Sequence, residues 1–374
     1  MHEPTAVDLF CGCGGMSLGA ARAGFRLAGA IDFDARALAS HKRNFPGSTH
    51  YRADLAGMPG RQVLARLKIS AGEVDVFVGG PPCQGFSNMG KRNPKDERNL
   101  LLADFLRIVK EIRPSAFVLE NVPALLHDRY KKVLDDALRP LESAYDILDP
   151  QLLRATDAGA PTLRVRMFVV GFRKSIAAAV SDFWKPAKAT QPPVVREALD
   201  GLPADITSDW AASRGGVRTV RISRQGAFFK AASARIPASV GDPAAIELLS
   251  RNLVTGCIGT SHSNDLIRRY AELEYGESDE KTKSVKLDPK GYCPTLRAGT
   301  GPDRGSFQAV RPIHYLRPRV ITPREAARLQ GFPDWYQFDQ TKWHSFRQIG
   351  NSVSPLVAES VLRRVRKVLV RAQQ

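Results

Sequence analysis

Apolar residues fall first in short, tightly bounded runs. Residues 5–10 (TAVDLF), 27–32 (LAGAID), 73–80 (EVDVFVGG), 115–121 (SAFVLEN) and 166–172 (RMFVVGF) each hold a few consecutive apolar positions closed off by Gly, Pro or a polar residue. Runs of that length bounded by turn residues predict buried strands. Between the third and fourth runs the period changes. Over 100–112, Leu102, Phe105, Leu106, Val109 and Ile112 recur on one helical stripe, and MSLGAARAG at 16–24 reads as a helix after the first strand. Strands alternating with helices predict a doubly wound, mostly parallel α/β sheet.

The alternation fades after about residue 173. Residues 186–312 are rich in Pro, Gly, Ser and Thr and hold only irregular apolar runs. They predict a second, smaller domain or a large insertion. Order returns at 322–330 (TPREAARLQ), a helix opened by a Thr N-cap with Pro in its first turn. Residues 354–371 read as a basic amphipathic helix beginning Ser-Pro. The chain thus divides into 1–185, an intervening 186–312, and a returning part at 313–374.

Charge adds a partner. The chain of 374 residues carries a net charge of +17, which predicts an anionic ligand, with nucleic acid the usual one. Residues 211–235 contain six basic side chains (Arg214, Arg218, Arg221, Arg224, Lys230, Arg235) and no acid. No run of about 18 apolar residues exists, so no membrane span is expected. The N-terminus has no basic n-region or cleavage pattern. Five scattered cysteines (Cys11, Cys13, Cys83, Cys257, Cys293) argue against a disulfide framework and for a reducing cytoplasm. Cys11 and Cys13 lack a second ligand pair nearby, so no metal is expected.

Candidate chemistry sits at the carboxyl ends of the predicted strands, where open α/β sheets place their ligands. The turn Asp8-Leu-Phe-Cys-Gly-Cys-Gly-Gly15 follows the first strand. Its glycines let backbone approach a ligand closely, or simply make a tight turn. Asp32 ends the second strand, where an acid holds the hydroxyls of a nucleoside ribose; Asp34 reads as a helix cap. The sharpest signal is Gly79-Gly-Pro-Pro-Cys-Gln-Gly-Phe-Ser87. Two prolines stiffen a turn that presents Cys83, a strong nucleophile toward an electron-poor ring carbon. A buried structural cysteine more often lies in an apolar run. Glu120 ends the fourth strand at the same edge, as a candidate acid or as a cap. Arg164 and Arg166 precede the next strand, as anion ligands or as solvated charge.

Together these motifs resemble those of the DNA cytosine-5 methyltransferases, collinearly over nearly the whole chain. DLFCGCGG resembles that family's cofactor loop, AIDFD its second motif, and RADL at Asp54 its third. GGPPCQGFS is close to the family consensus. Arg98-Asn99-Leu100 resembles the fifth motif, ENV at 120–122 the sixth, RVITPREAARLQGFPD (319–334) the ninth and RQIGNSVSP (347–355) the tenth. The eighth motif, usually Gln-x-Arg-x-Arg, reads Thr162-Leu-Arg164-Val-Arg166, so Thr162 is expected to replace the hydrogen bond of the glutamine.

The resemblance implies a Rossmann-like S-adenosylmethionine-dependent methyltransferase domain, with 186–312 as target-recognition domain anchored by Thr295–Thr300. It implies that Phe10, Gly12, Gly14, Gly15, Asp32, Phe33, Asp54, Pro82, Leu100, Asn351 and Val353 bind S-adenosylmethionine. It implies Cys83 as nucleophile, Glu120 on N3 and N4 of cytosine, and Arg164 with Arg166 on the base. The substrate would be a cytosine flipped out of double-stranded DNA, since C5 and C6 cannot be reached inside a duplex. The basic residues of 211–235 would meet phosphates, which position DNA without reading it. A soluble bacterial monomer of a restriction–modification system is the expected setting, with room for a cognate endonuclease acting on the same site. The alternatives are a tRNA cytosine-5 methyltransferase on the same scaffold, which the long basic insertion and Gly85-Phe86-Ser87 disfavour, and a catalytically dead regulator, which would lack Cys83 or Glu120. An NAD-dependent oxidoreductase would need GxGxxG and leaves Pro-Pro-Cys-Gln unexplained.

Overall fold

The computed structural model describes residues 3–82, 100–180, 183–184, 191–206, 215–222, 226–233, 235–299 and 310–372. Every apolar run named above forms a strand of one sheet. These are β1 (Thr5–Leu9), β2 (Arg26–Asp32), β4 (Val76–Gly79), β5 (Ala116–Asn121) and β8 (Val165–Arg173), joined by the shorter β3 (Thr49–Arg52), β6 (Tyr145–Ile147) and β7 (Gln151–Arg154). The strand order is β3-β2-β1-β4-β5-β8-β6, with β7 also paired to β8. Pairing is parallel from β3 to β5. It turns antiparallel at β8, which runs against β5, β6 and β7.

Alternate side chains of these strands enter opposite layers, as the pleat requires. Val76, Val78, Ala116, Val118, Phe168 and Val170 pack on α1 (Gly15–Ala23) and α11 (Pro355–Arg371). Phe77, Phe117, Leu119, Met167 and Val169 pack on α3 (Gly60–Leu67), α4 (Leu100–Ile112) and α5 (Asp128–Leu138). Because both faces are covered, the central strands read as near-continuous apolar runs. Helix α2 (Ala35–Asn44) is capped by Asp34, whose carboxylate accepts from the N–H groups of Arg36 and Ala37. Gly19 sets the contact of α1 with α11. A Cβ there would stand 2.4 Å from that of Ala358 and 2.6 Å from the Glu359 nitrogen.

Residues 186–312 are built differently. They contribute α6 (Val195–Leu199), α7 (Pro243–Ser250), α8 (Asn264–Glu272) and a two-stranded antiparallel ribbon of β9 (Arg218–Thr219) and β10 (Leu253–Val254). Their own apolar cluster, around Val220, Val254 and Cys257, is small, and a second around Tyr270 is shared with Ile313 and Val320 of the returning segment. Several of their residues, including Val195, Leu199, Phe228, Leu287, Cys293 and Leu296, belong instead to the large core beside α11.

The joint is polar and buried. Thr322 caps α9 (Pro323–Leu329), as its sequence predicts, and the structure adds a reciprocal box with Glu325. Three buried arginines of this segment then reach across. Arg319 pairs with Glu325 at 2.7 Å and donates to the Ala204 carbonyl. Arg324 donates to the carbonyls of Thr255, Pro333 and Tyr336. Arg328 pairs with Asp334 at 2.7 Å and donates to the carbonyls of Ala198 and Asp200. On the other side Arg22 of α1, paired with Glu359, donates to the carbonyls of Ala231 and Ala232. Helix α10 (Lys342–Asn351) leads back to the sheet edge.

Candidate active site

The glycine turn after β1 takes left-handed backbone at Phe10 (φ 62°), Gly12 (φ 54°) and Gly14 (φ 101°). Only glycine occupies such geometry without strain, and Phe10 is a non-glycine exception. The Gly12 N–H donates to Asp32 Oδ2 at 2.7 Å, and the Asp34 N–H to Asp32 Oδ1 at 2.8 Å. Asp32 is therefore fixed beside the loop, with lone pairs left for further donors. Burial pushes its carboxyl pKa up, against those two N–H bonds. A Cβ on Gly12 would meet nothing within 4 Å, so the space over the loop is open. Gly15 is closed from behind: a Cβ there would lie 2.1 Å from Ser352 Oγ and 2.3 Å from the Val353 carbonyl. The returning 351–353 segment thus forms one wall of the loop, with Val353 buried and Asn351 exposed.

Phe33, directly after β2, is 65% exposed. The Ala53 N–H donates to the Asp32 carbonyl, which brings exposed Asp54 to the same edge. Pro82 and Leu100 are exposed at the ends of the β4 turn and of α4. An acid with spare lone pairs, an exposed aromatic face, a second acid and an open glycine turn suit the ribose, adenine and methionine parts of S-adenosylmethionine.

A buried chain of hydrogen bonds runs beneath the loop, and no sequence motif announces it. Ser17 Oγ donates to Asp8 at 2.5 Å and meets His41 Nε2 at 2.8 Å; His41 Nδ1 meets His50 Nε2 at 2.8 Å. Burial holds His41 neutral and raises the Asp8 carboxyl to about 7.

The second half of the site lies at the ends of β4 and β5. Glu120 Oε1 accepts from Arg166 Nε of β8 at 2.9 Å. A Cβ on Gly80 would fall 2.7 Å from Glu120 Oε2, so glycine there is what lets the Pro-Pro turn pass over the carboxylate. Asn121 Nδ2 donates to the Pro81 carbonyl at 3.3 Å, fastening that turn to β5. Burial raises the Glu120 pKa, and the guanidinium groups of Arg166 and Arg164 oppose the shift. The carboxyl therefore keeps its proton to higher pH than an ordinary glutamate. Cys83 follows Pro82 in the chain and lies outside the described residues, as do Arg98 and Asn99.

The two arginines part company. Arg166 reaches Glu120. Arg164 is 2% exposed, and donates to the carbonyls of Leu296 and Asn351 at 3.3 Å each. It braces the joint between the sheet edge and the 293–298 segment. The Thr162 hydroxyl is buried and has no hydrogen-bond partner among the described residues. What holds this stretch is backbone: Leu163 N–H to the Cys293 carbonyl and Cys293 N–H to that of Pro161. Thr295 adds a hydroxyl bond to the Leu163 carbonyl.

Cys11, Cys13, Cys257 and Cys293 are buried free thiols, and burial pushes each well above the usual range. None is placed to react as a thiolate. Among the described residues no cluster of His, Cys, Asp and Glu is arranged to hold a metal ion, and no helix is long and apolar enough to cross a membrane. Arg221, Lys230 and Arg235 are exposed and Arg218 half-buried; Arg214 and Arg224 lie outside the described residues.

Comparison with known proteins accords with this geometry. The family model for C-5 cytosine-specific DNA methylase matches residues 5–367. The type II methyltransferase M.XorII of Xanthomonas oryzae is 36% identical over 378 residues, covering 99% of this chain and 86% of that protein. M.DdeI of Desulfomicrobium norvegicum is 29% identical, covering 96% and 88%. Among solved structures, a putative DNA modification methyltransferase encoded within an E. coli prophage superposes with a TM-score of 0.88 at 44% identity, covering 98% of this chain and 99% of that one. The S. pombe Dnmt2 methyltransferase, at 14% identity and a TM-score of 0.57, shares the fold. With the match running from β1 into α11, the chain belongs to the C-5 cytosine-specific DNA methylase family and is a DNA (cytosine-5-)-methyltransferase.

Proposed function

We propose that this enzyme methylates C5 of a flipped-out cytosine within a specific duplex DNA sequence, through a covalent bond between Cys83 and C6. The observation that carries this is the Glu120–Arg166 pair, held under a Gly-Pro-Pro turn whose next residue is Cys83. Cys83 as thiolate adds to C6. Glu120, with its raised pKa, donates a proton to N3, and its other oxygen accepts from the N4 amine. Electron density then gathers on C5. S-adenosylmethionine supplies a methyl group already activated by its sulfonium. A water acting as base takes the C5 proton; its electron pair re-forms the C5–C6 double bond, expels Cys83 as thiolate, and the N3 proton returns to Glu120. Arg166 keeps the carboxyl aimed. Asp32 would hold the ribose hydroxyls, Phe33 and Asp54 the adenine, and the 10–15 loop with Asn351 and Val353 the remainder. The relatives named above are type II methyltransferases. They support a role in marking DNA against a cognate restriction endonuclease.

The test is a trap. Duplex DNA containing 5-fluorocytosine is incubated with enzyme and cofactor and run on a denaturing gel. Fluorine at C5 blocks the final elimination, so a cofactor-dependent covalent band that disappears in Cys83→Ala is expected. Sequencing the trapped DNA gives the recognition site. Absence of a band with duplex DNA, and its presence with fluorocytosine-substituted tRNA, would replace the substrate.

A further inference from the structure

We propose that Arg311 grips a backbone phosphate of the target strand beside the flipped cytosine. This rests on duplex DNA being the substrate, as above. Arg311 lies outside the basic stretch 211–235, just before the returning segment.

Its environment is apolar and carbonyl-lined. Arg311 is half-buried and lies over the Phe346 ring, 4.4 Å from its centroid. One amino group donates to the Arg297 carbonyl at 2.9 Å and, more distantly, to that of Val310. Neither neighbour is anionic. Among the described residues no carboxylate pairs with it, whereas Arg22, Arg319 and Arg328 each have one. A guanidinium carries five N–H donors, so most of Arg311's are uncommitted. Burial lowers its pKa to about 10 with no acid to offset it, which still leaves it charged at neutral pH. A partly desolvated charge without a counter-ion costs stability, and is best explained by a ligand that supplies the anion.

The position says which anion. The 296–298 backbone packs against Gly350, where a Cβ would lie 2.6 Å from both the Arg297 carbonyl carbon and the Ala298 nitrogen. Leu296, next along, takes the hydrogen bond from Arg164, whose charge acts on Glu120. Arg311 is therefore tied, through the 296–297 backbone that Arg164 also holds, to the same edge of the sheet as the carboxyl proposed to bind cytosine. Exposed Arg297 adds a second positive charge there. A nucleotide whose base enters the pocket must carry its phosphates past this edge. The planar fork over an aromatic ring presents its free edge for bidentate phosphate binding.

The test uses the full-length enzyme and a duplex bearing the mapped site. DNA affinity is measured against salt for the wild type, Arg311→Gln and Arg311→Lys, with S-adenosylmethionine binding by calorimetry as the folding control. Loss of one phosphate contact should reduce the slope of log K against log salt by about 0.9 in Arg311→Gln. Arg311→Lys keeps the charge and should keep the slope. Single neutral methylphosphonates are then placed around the target cytosine. One position should weaken the wild type and Arg311→Lys while leaving Arg311→Gln unaffected. Unchanged slope in Arg311→Gln, equal losses for Gln and Lys, or additive losses at every methylphosphonate would each overturn the assignment and leave Arg311 as a structural stack on Phe346. If wild-type enzyme neither binds nor methylates DNA, it is the substrate that fails, not Arg311 alone.

Discussion

The sheet with its two helical layers and the region 186–312 show two ways of holding a chain together. The first buries Phe77, Phe117, Phe168 and Phe172 completely, in apolar clusters on both faces. The second has little apolar interior of its own and borrows from the first. It is secured by arginines that enter from 319–328 and from α1. Apolar layers suit the part that must hold reacting groups still, because close packing transmits small displacements. A polar joint suits a part that, on the proposed function, would meet a charged, variable ligand. The difference predicts that chemistry and DNA positioning are separable.

The largest effect should follow from Glu120→Gln, which retains the shape but neither the proton nor the charge. General acid catalysis contributes about 10²–10⁴-fold, so kcat should fall within that range while cofactor affinity stays at the wild-type value. Single-turnover methylation and calorimetry decide it; an equal loss in cofactor binding would mean that the site is one inseparable unit. Next comes Arg328→Met, which orphans the buried Asp334. Breaking a buried pair from one side costs about 3–5 kcal/mol, read as a lower urea midpoint. If the two regions are held differently, 186–312 should become protease-sensitive before the sheet does. Gly19→Ala places a methyl against Ala358 and Glu359; overpacking of this kind costs about 1–3 kcal/mol and should lower stability without altering DNA affinity.

The smallest effect concerns pH. Asp8 is buried with its pKa raised to about 7, from burial first, with the Ser17 hydrogen bond opposing. A carboxyl raised on folding favours the fold while protonated. That contribution is complete below the unfolded value near 4 and is lost as pH rises through about 7. Asp8→Asn should therefore flatten the decline in stability between pH 6 and 7, by roughly 1 kcal/mol. Denaturant midpoints across that range measure it, and a parallel decline in both proteins would remove Asp8 as its source.

Much of the sheet was legible because buried parallel strands leave unbroken apolar runs, and α4 was legible because its stripe matched the helical period over its whole length. β3 was missed since Thr49–Arg52 is half-buried at an edge and mixes polar with aromatic residues. α5 hides behind charge: only Tyr130, Leu134 and Leu138 turn inward from DRYKKVLDDAL. In the site, linear motifs pointed to Asp32, Glu120 and the glycine turn, because each sits at a strand end. Motif reading could not separate Arg164 from Arg166, since two residues apart on one extended segment they reach different neighbours. Nor could it find Asp8, Ser17, His41 and His50, which meet only because β1, α1, α2 and β3 fold over one another.

The joint between the regions has one further property. Arg22, Arg164, Arg319 and Arg328 grip main-chain carbonyls of the intervening region: Ala231 and Ala232, Leu296, Ala204, and Ala198 with Asp200. Every amino acid supplies a carbonyl. The socket is thus blind to side-chain identity and asks only that the backbone path be kept. Outside the apolar positions that 186–312 lends to the core beside α11, its side chains can change without loosening these bonds. If 186–312 is the part that reads DNA, a new target can be acquired while the sheet and its site stay as they are.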